Sequence, residues 1–184
     1  MMLSWIQRLL LYVIALTSSV GAIALLIWAG LPHHADFTGF TVDGIYVAPA
    51  IGEIAPPMHM NTLNGQHLHL DNFHGDSLII NFWATWCAPC AIEMPELQLL
   101  HEETAIQIVG INIGEHPSVI VPWVERFGLT FDIVLDPNGR IYTDYRLLGQ
   151  PTTYILNPDG IITHIFHGPT NADALQRAIE THQS

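Results

Sequence analysis

Apolar positions along the chain fall into two patterns. From Leu9 to Leu31 the sequence carries no charged residue, a run longer than the ~20 residues that suffice to cross a bilayer as a helix. Beyond it, apolar residues come in short runs separated by turn formers. Ser77 to Ala84 predicts a strand whose centre, Leu78-Ile79-Ile80-Asn81-Phe82-Trp83, is apolar nearly throughout, as expected when helices cover both faces. Helical spacing follows from Cys87 to about Glu102, with Ile92, Leu97 and Leu100 as inward candidates. Ile106 to Ile113 reads as another buried strand, Ser118 to Phe127 as a helix closed by Gly128, and Phe131 to Leu135 as a short strand before the turn Asp136-Pro137-Asn138-Gly139.

Two hairpins are also predicted. Met58 to Leu63 and Gln66 to Leu70 flank Asn64-Gly65, and Thr152 to Leu156 and Ile161 to Phe166 flank Asn157-Pro158-Asp159-Gly160. Asn171 is placed to cap a last helix reaching Ile179. Strands separated by helices, then a terminal hairpin and helix, describe an α/β sandwich with a mixed central sheet.

The uncharged run reads as one N-terminal transmembrane helix, with Trp5, Tyr12 and Trp28 near its ends where amphipathic rings suit the interface. A cleaved signal peptide is the alternative. Its apolar part would ordinarily be shorter, and Trp28-Ala29-Gly30 is where a peptidase would act. Arg8 precedes the run and no Arg follows until Arg126, which keeps the amino terminus in the cytoplasm and sends the rest outward, where disulfides persist. The expected organisation is a cytoplasmic stub and anchor over 1–31, a Gly- and Pro-containing linker over 32–50, and a folded domain over 51–184. The protein would then sit in the inner (cytoplasmic) membrane as a single-pass chain, its C-terminal domain in the periplasm or an equivalent extracytoplasmic space.

Charge narrows the partners. Five Arg and no Lys stand against 17 acidic residues, for a formal charge of -12. The four Arg beyond the anchor are scattered, which excludes a nucleic-acid binder and disfavours anionic membrane surfaces. The 49% hydrophobic content and mean hydropathy of +0.32 exclude a disordered chain. Eleven His are enough, once protonated, to cancel nearly all of the negative charge; compositional drift is the plainer reading, and work in a mildly acidic compartment is the alternative. His67 and His69, two apart on a predicted strand, share a face and offer a metal pair, against the plainer reading of a solvent-facing pair.

The only two cysteines form Cys87-Ala88-Pro89-Cys90, where a buried strand turns into a helix. Free N–H groups and the positive end of the helix dipole there favour a thiolate on Cys87, the expected exposed nucleophile, with Cys90 one turn further in as the resolving thiol. A half zinc site and an inert structural disulfide are the alternatives. The first lacks further ligands at zinc spacing nearby, and the second ordinarily closes a longer loop. Trp86 is placed to shield Cys87 and to offer a client an apolar contact, while Phe82 and Trp83 suit the core. The hydroxyls of Thr152 and Thr153 are assigned no chemistry.

The run Asn81-Phe82-Trp83-Ala84-Thr85-Trp86-Cys87-Ala88-Pro89-Cys90, with Glu93 and Pro95 after it and Gly149-Gln150-Pro151-Thr152-Thr153-Tyr154 later, resembles the membrane-anchored thioredoxin-like oxidoreductases of the TlpA/ResA/CcmG type, over about Ile51 to Ile179. The resemblance implies a thioredoxin fold that exchanges disulfides outside the cytoplasm. Its direction would be reduction of client proteins, with apocytochrome c the leading guess, and a membrane thiol-electron donor would keep it reduced.

It also implies that Pro151 is cis and faces the cysteine pair, so that the backbone at Gln150 pairs with an extended client; an X-Pro bond in a loop is otherwise trans by default. It gives Glu93 a role in tuning the thiols and relaying a proton to Cys90, against the alternative of a solvated helix charge. No cofactor or metal is called for. Two rival functions remain at this stage. One is a thiol peroxidase of the peroxiredoxin-related group, whose Pro-x-x-x-Thr-x-x-Cys context is missing here; the other is a non-catalytic client-binding chaperone.

Overall fold

The computed structural model describes residue 5 and residues 41–42, 45–104 and 106–181. The chain divides into two units, Met1–Gly39 and Phe40–Ser184. The predicted anchor over Leu9–Leu31 lies outside the described residues, among which no helix is long and apolar enough to cross a membrane. Strands β1 (Thr41–Val42) and β2 (Ile45–Tyr46) form a small antiparallel pair within the stretch read as linker.

The second unit is built on a seven-stranded sheet. In chain order it contains β3 (His59–Thr62), β4 (His67–His69), a 3-10 turn (Leu70–Phe73), β5 (Leu78–Trp83), α1 (Ala88–Glu103), β6 (Gln107–Ile113), α2 (Pro117–Phe127), β7 (Asp132–Asp136), α3 (Arg140–Asp144), β8 (Thr152–Leu156), β9 (Ile162–His167) and α4 (Ala172–Glu180). The spatial order is β4-β3-β7-β6-β5-β8-β9. The three central strands run parallel, connected through α1 and α2, while β3, β8 and β9 join antiparallel. This is the mixed sheet of a thioredoxin-like α/β fold.

Strand β5 shows why its sequence is apolar throughout. Ile79 and Trp83 enter the core beneath α1, α2 and α4, with Met94, Leu97, Ile120 and Leu175. Leu78, Ile80 and Phe82 point the other way, into a second core with Val109, Ile111, Tyr145 and Tyr154. Alternate residues thus feed two cores, and a polar side chain in this strand must find a partner inside the protein.

The helix at the cysteines starts where the spacing predicts, but its inward face differs. Leu97 and Leu100 are buried, whereas Ile92 is 71% exposed. The buried stripe runs through Cys90, Glu93, Met94, Leu97 and Leu100, the i, i+3, i+4 rows of one face, and Ile92 falls on the opposite side. Helix α3 has no counterpart in the sequence pattern. That five-residue helix is too short for periodicity, and the Asp136 carboxylate fastens its first turn by accepting the Arg140 and Tyr142 N–H groups at 2.8 and 2.9 Å. His67 and His69 lie exposed on edge strand β4, with His67 Nδ1 2.6 Å from Asn61 Oδ1. No group of three His, Cys, Asp or Glu able to hold a metal occurs among the described residues.

Gly110 sits in β6 between Asn81 of β5 and Ile133 of β7. A Cβ there would lie 2.9 Å from the Phe131 ring, 3.1 Å from Trp83 Nε1 and 3.3 Å from Ile133 Cδ1. Gly110→Ala is therefore expected to destabilise the domain by about 1–3 kcal/mol through overpacking, read as a lower urea midpoint at unchanged slope.

Candidate active site

Strand β5 delivers the chain to a tight turn, and Cys87 is the N-cap of α1. Its Sγ accepts the Cys90 N–H at 3.2 Å. Pro89 in the first turn lacks an N–H, at a place where the helix offers none a partner. Cys87 and Cys90 are joined as a disulfide, sulfurs 2.04 Å apart. Cys87 is less open than expected: 5% of it is accessible, against none of Cys90. Folding Sγ back against the helix end buries most of Cys87 while leaving it the more accessible of the pair.

The turn itself is held from across the sheet. Glu115, in the loop after β6, accepts the Thr85 N–H at 2.7 Å, the Thr85 hydroxyl, and the Asn112 amide at 2.8 Å. Trp86, between that clamp and Cys87, is 67% exposed.

The Gln150–Pro151 peptide bond is cis. Thr152 pairs with Phe82 in the β5–β8 register, so Pro151 stands at the end of β5 that runs into the cysteines. Pro151 is buried, and its carbonyl takes the Gly168 N–H at 2.9 Å. Gln150 is half-buried and Trp86 exposed, while Cys87 and Pro151 are both buried.

Glu93 is not a solvated helix charge. It is fully buried, one turn beyond Cys90. Asn81 Nδ2 donates to its Oε2 at 2.9 Å, and the Thr153 hydroxyl and Thr170 N–H each donate to its Oε1 at 3.2 Å. Burial pushes its pKa up from 4.5 to about 7, and the three hydrogen bonds hold it from rising further. Asn81 and Thr153, which had no assigned chemistry, are thus in the site. The available signal was a single amide in the otherwise apolar Leu78–Trp83 run.

A dithiol–disulfide pair at a helix N-terminus, a cis-proline beside it and a thioredoxin-like sheet define a thioredoxin-like thiol-disulfide oxidoreductase. The model of the AhpC/TSA family matches residues 51–165. The chain is 31% identical over 163 residues to the thiol-disulfide oxidoreductase ResA of Geobacillus kaustophilus, covering 87% of this chain and 92% of that protein. It is 31% identical over 153 residues to the thioredoxin-like protein YneN of Bacillus subtilis, covering 78% and 89%. Among solved structures, StoA from Bacillus subtilis aligns at a TM-score of 0.60 and 28% identity, covering 72% of this chain and 98% of that one. A secreted Mycobacterium tuberculosis disulfide oxidoreductase homologous to DsbE aligns at 0.61 and 25%, covering 67% and 95%. The chain belongs to the AhpC/TSA family and, within it, with the ResA-type thiol-disulfide oxidoreductases.

A raised carboxyl pKa fixes the sign of a stability effect. Below pH 4.5 Glu93 is protonated in both folded and unfolded chains and contributes nothing; between 4.5 and about 7 the unfolded chain ionises first, and stability falls as pH rises. Above about 7 the full penalty, on the order of 3 kcal/mol, is present. Urea unfolding of the oxidised protein at pH 4 and pH 8 is expected to show a larger loss in wild type than in Glu93→Gln. Equal losses in the two would contradict the burial of this charge.

Proposed function

We propose that this protein is an extracytoplasmic reductant of disulfides in client proteins. The observation that carries the reading is the Cys87–Cys90 disulfide at the start of α1, with Cys87 the more accessible residue of the pair and the buried Glu93 carboxyl one turn beyond Cys90. In the reduced protein, the Cys90 N–H and the helix dipole favour the Cys87 thiolate. That thiolate attacks one sulfur of a client disulfide, forming a mixed disulfide and releasing the other client sulfur as a thiolate, which takes up a proton. Cys90 then gives its proton to Glu93 and attacks Cys87 Sγ; the bond to the client breaks, the client leaves reduced, and Cys87–Cys90 closes with the electron pair transferred.

Trp86, Gln150 and Pro151 form the client-facing rim, where an extended chain pairs with the backbone ahead of the cis bond. The apolar span Leu9–Leu31 holds the domain at the outer face of the inner membrane, and a membrane thiol-electron donor regenerates the dithiol. The uncharged Leu9–Leu31 run supports the anchor, and similarity to the thiol-disulfide oxidoreductase ResA supports the exchange of disulfides. Apocytochrome c is the leading client.

Two measurements test this. Cys90→Ser is expected to accumulate a mixed disulfide between Cys87 and the client, resolved by mass spectrometry and lost in the Cys87→Ser double variant. A reduction potential near or below thioredoxin's ~-270 mV fits a reductant, whereas one near ~-120 mV marks an oxidant and would overturn the direction.

A further inference from the structure

Glu93 is carried into the interior by α1, but none of the groups that hold its carboxylate belongs to α1. Oε2 takes the Asn81 amide from β5; Oε1 takes the Thr153 hydroxyl from β8 and the Thr170 N–H from the segment ahead of α4. Asn81 spends its other amide hydrogen on Thr153 Oγ1, at 2.8 Å. With its oxygen already accepting from Asn81, the Thr153 hydroxyl turns its own proton to Glu93. One amide therefore sets the donors to both carboxylate oxygens, directly at Oε2 and through a hydroxyl at Oε1.

Packing stability gives no reason for an amide at position 81. Ile79 and Trp83, which face the same side of the sheet as Asn81, are fully buried and apolar, and Asn81 Oδ1 has no hydrogen-bond partner, a loss that a leucine in its place would avoid. What the amide provides is order in the carboxylate. A carboxylate has about four lone-pair sites. The two on Oε1 are occupied and one on Oε2 is taken by Asn81, so the free position lies on Oε2.

We propose that Asn81 and Thr153 are positioning residues for thiol exchange, fixing the Glu93 carboxylate so that Oε2 receives the Cys90 proton. The inference rests on the proposed role of Glu93 as that proton's acceptor. In the mixed disulfide the Cys90 S–H proton passes to Oε2, the Cys90 thiolate bonds to Cys87 Sγ, and the client sulfur departs as a thiolate that is protonated in turn. The groups facing Glu93 from β5, β8 and the loop before α4 are neutral, and no charged side chain contributes to its shift. Glu96, one turn further along α1, accepts the Ala172 N–H. Removing either side-chain donor weakens the ionised carboxylate relative to the acid.

The experiment is the pH profile, from 5 to 9, of reduction of a fluorescent disulfide peptide by the full-length chain in detergent, with the rate of Cys87 alkylation by iodoacetamide as a parallel readout. Asn81→Leu and Thr153→Val are expected to move the profile's midpoint upward by about one pH unit with Cys87 alkylation unchanged; Thr153→Ser, which keeps the hydroxyl, is expected to restore the wild-type midpoint. Wild-type midpoints in both Asn81→Leu and Thr153→Val, with Glu93→Gln altered, would overturn the inference alone. A wild-type profile in Glu93→Gln would remove the reading beneath it. Should Asn81→Leu fail to fold, the Thr153→Val and Thr153→Ser pair decides: a shared midpoint counts against the proposal, and a difference supports it.

Discussion

The junction between β5 and α1 is the constraint on which the site depends. A strand buried on both faces can end only where the sheet ends, and the helix that follows must lie back across the sheet to cover it. The turn between them is therefore held on both sides, and the first residue after it becomes the cap of a helix whose N–H groups have no other partner. Placing a cysteine at that cap exposes its sulfur to those donors, as the Cys90 N–H on Cys87 Sγ shows. A second cysteine three residues on lies one turn below it, at the right reach for a disulfide. Glu115 pins the same turn from the neighbouring loop through Thr85, so Cys87 is positioned from that loop as well as by its own helix.

The same geometry explains the buried acid. The face of α1 that covers the sheet passes through Cys90, Glu93, Met94 and Leu97, so a glutamate one turn beyond the inner cysteine has nowhere to go but inward. Desolvation then works against its charge, and three hydrogen bonds work for it. The balance leaves a carboxyl whose pKa is raised to about 7, the range that suits the proton transfer proposed for it. The domain carries the ionised form as a stability penalty at high pH, a common compromise at functional sites.

Much of this is legible in the residues. The apolar runs, turn formers and helical spacing place β3 to β9 and the three longer helices within a residue or two, because each segment's own apolar pattern must match the layer that covers it, while the two-residue strands β1 and β2 fall in the stretch read as linker. The exceptions have local causes. Helix α3 escapes detection because five residues make little more than one turn, and its start is set by a carboxylate in the preceding turn. The apolar character of Ile92 predicts an inward position, yet the face of α1 is set by Cys90, Met94 and Leu97 and leaves that side chain outside. The helix-start position predicts an open Cys87, yet only 5% of the residue is accessible.

The order of elements, the strand-to-helix placement of Cys87 and Cys90, and the presence of an acid one helical turn later follow from neighbouring residues and their spacing. Only the tertiary structure decided what that acid is. Asn81, Thr153 and Thr170 lie 12, 60 and 77 residues from Glu93 along the chain, and they meet it because β5, β8 and the approach to α4 converge beneath one helix. Burial and hydrogen bonding belong to that convergence, not to any segment, and so a residue equally suited to a solvated helix surface became a buried, near-neutral carboxyl.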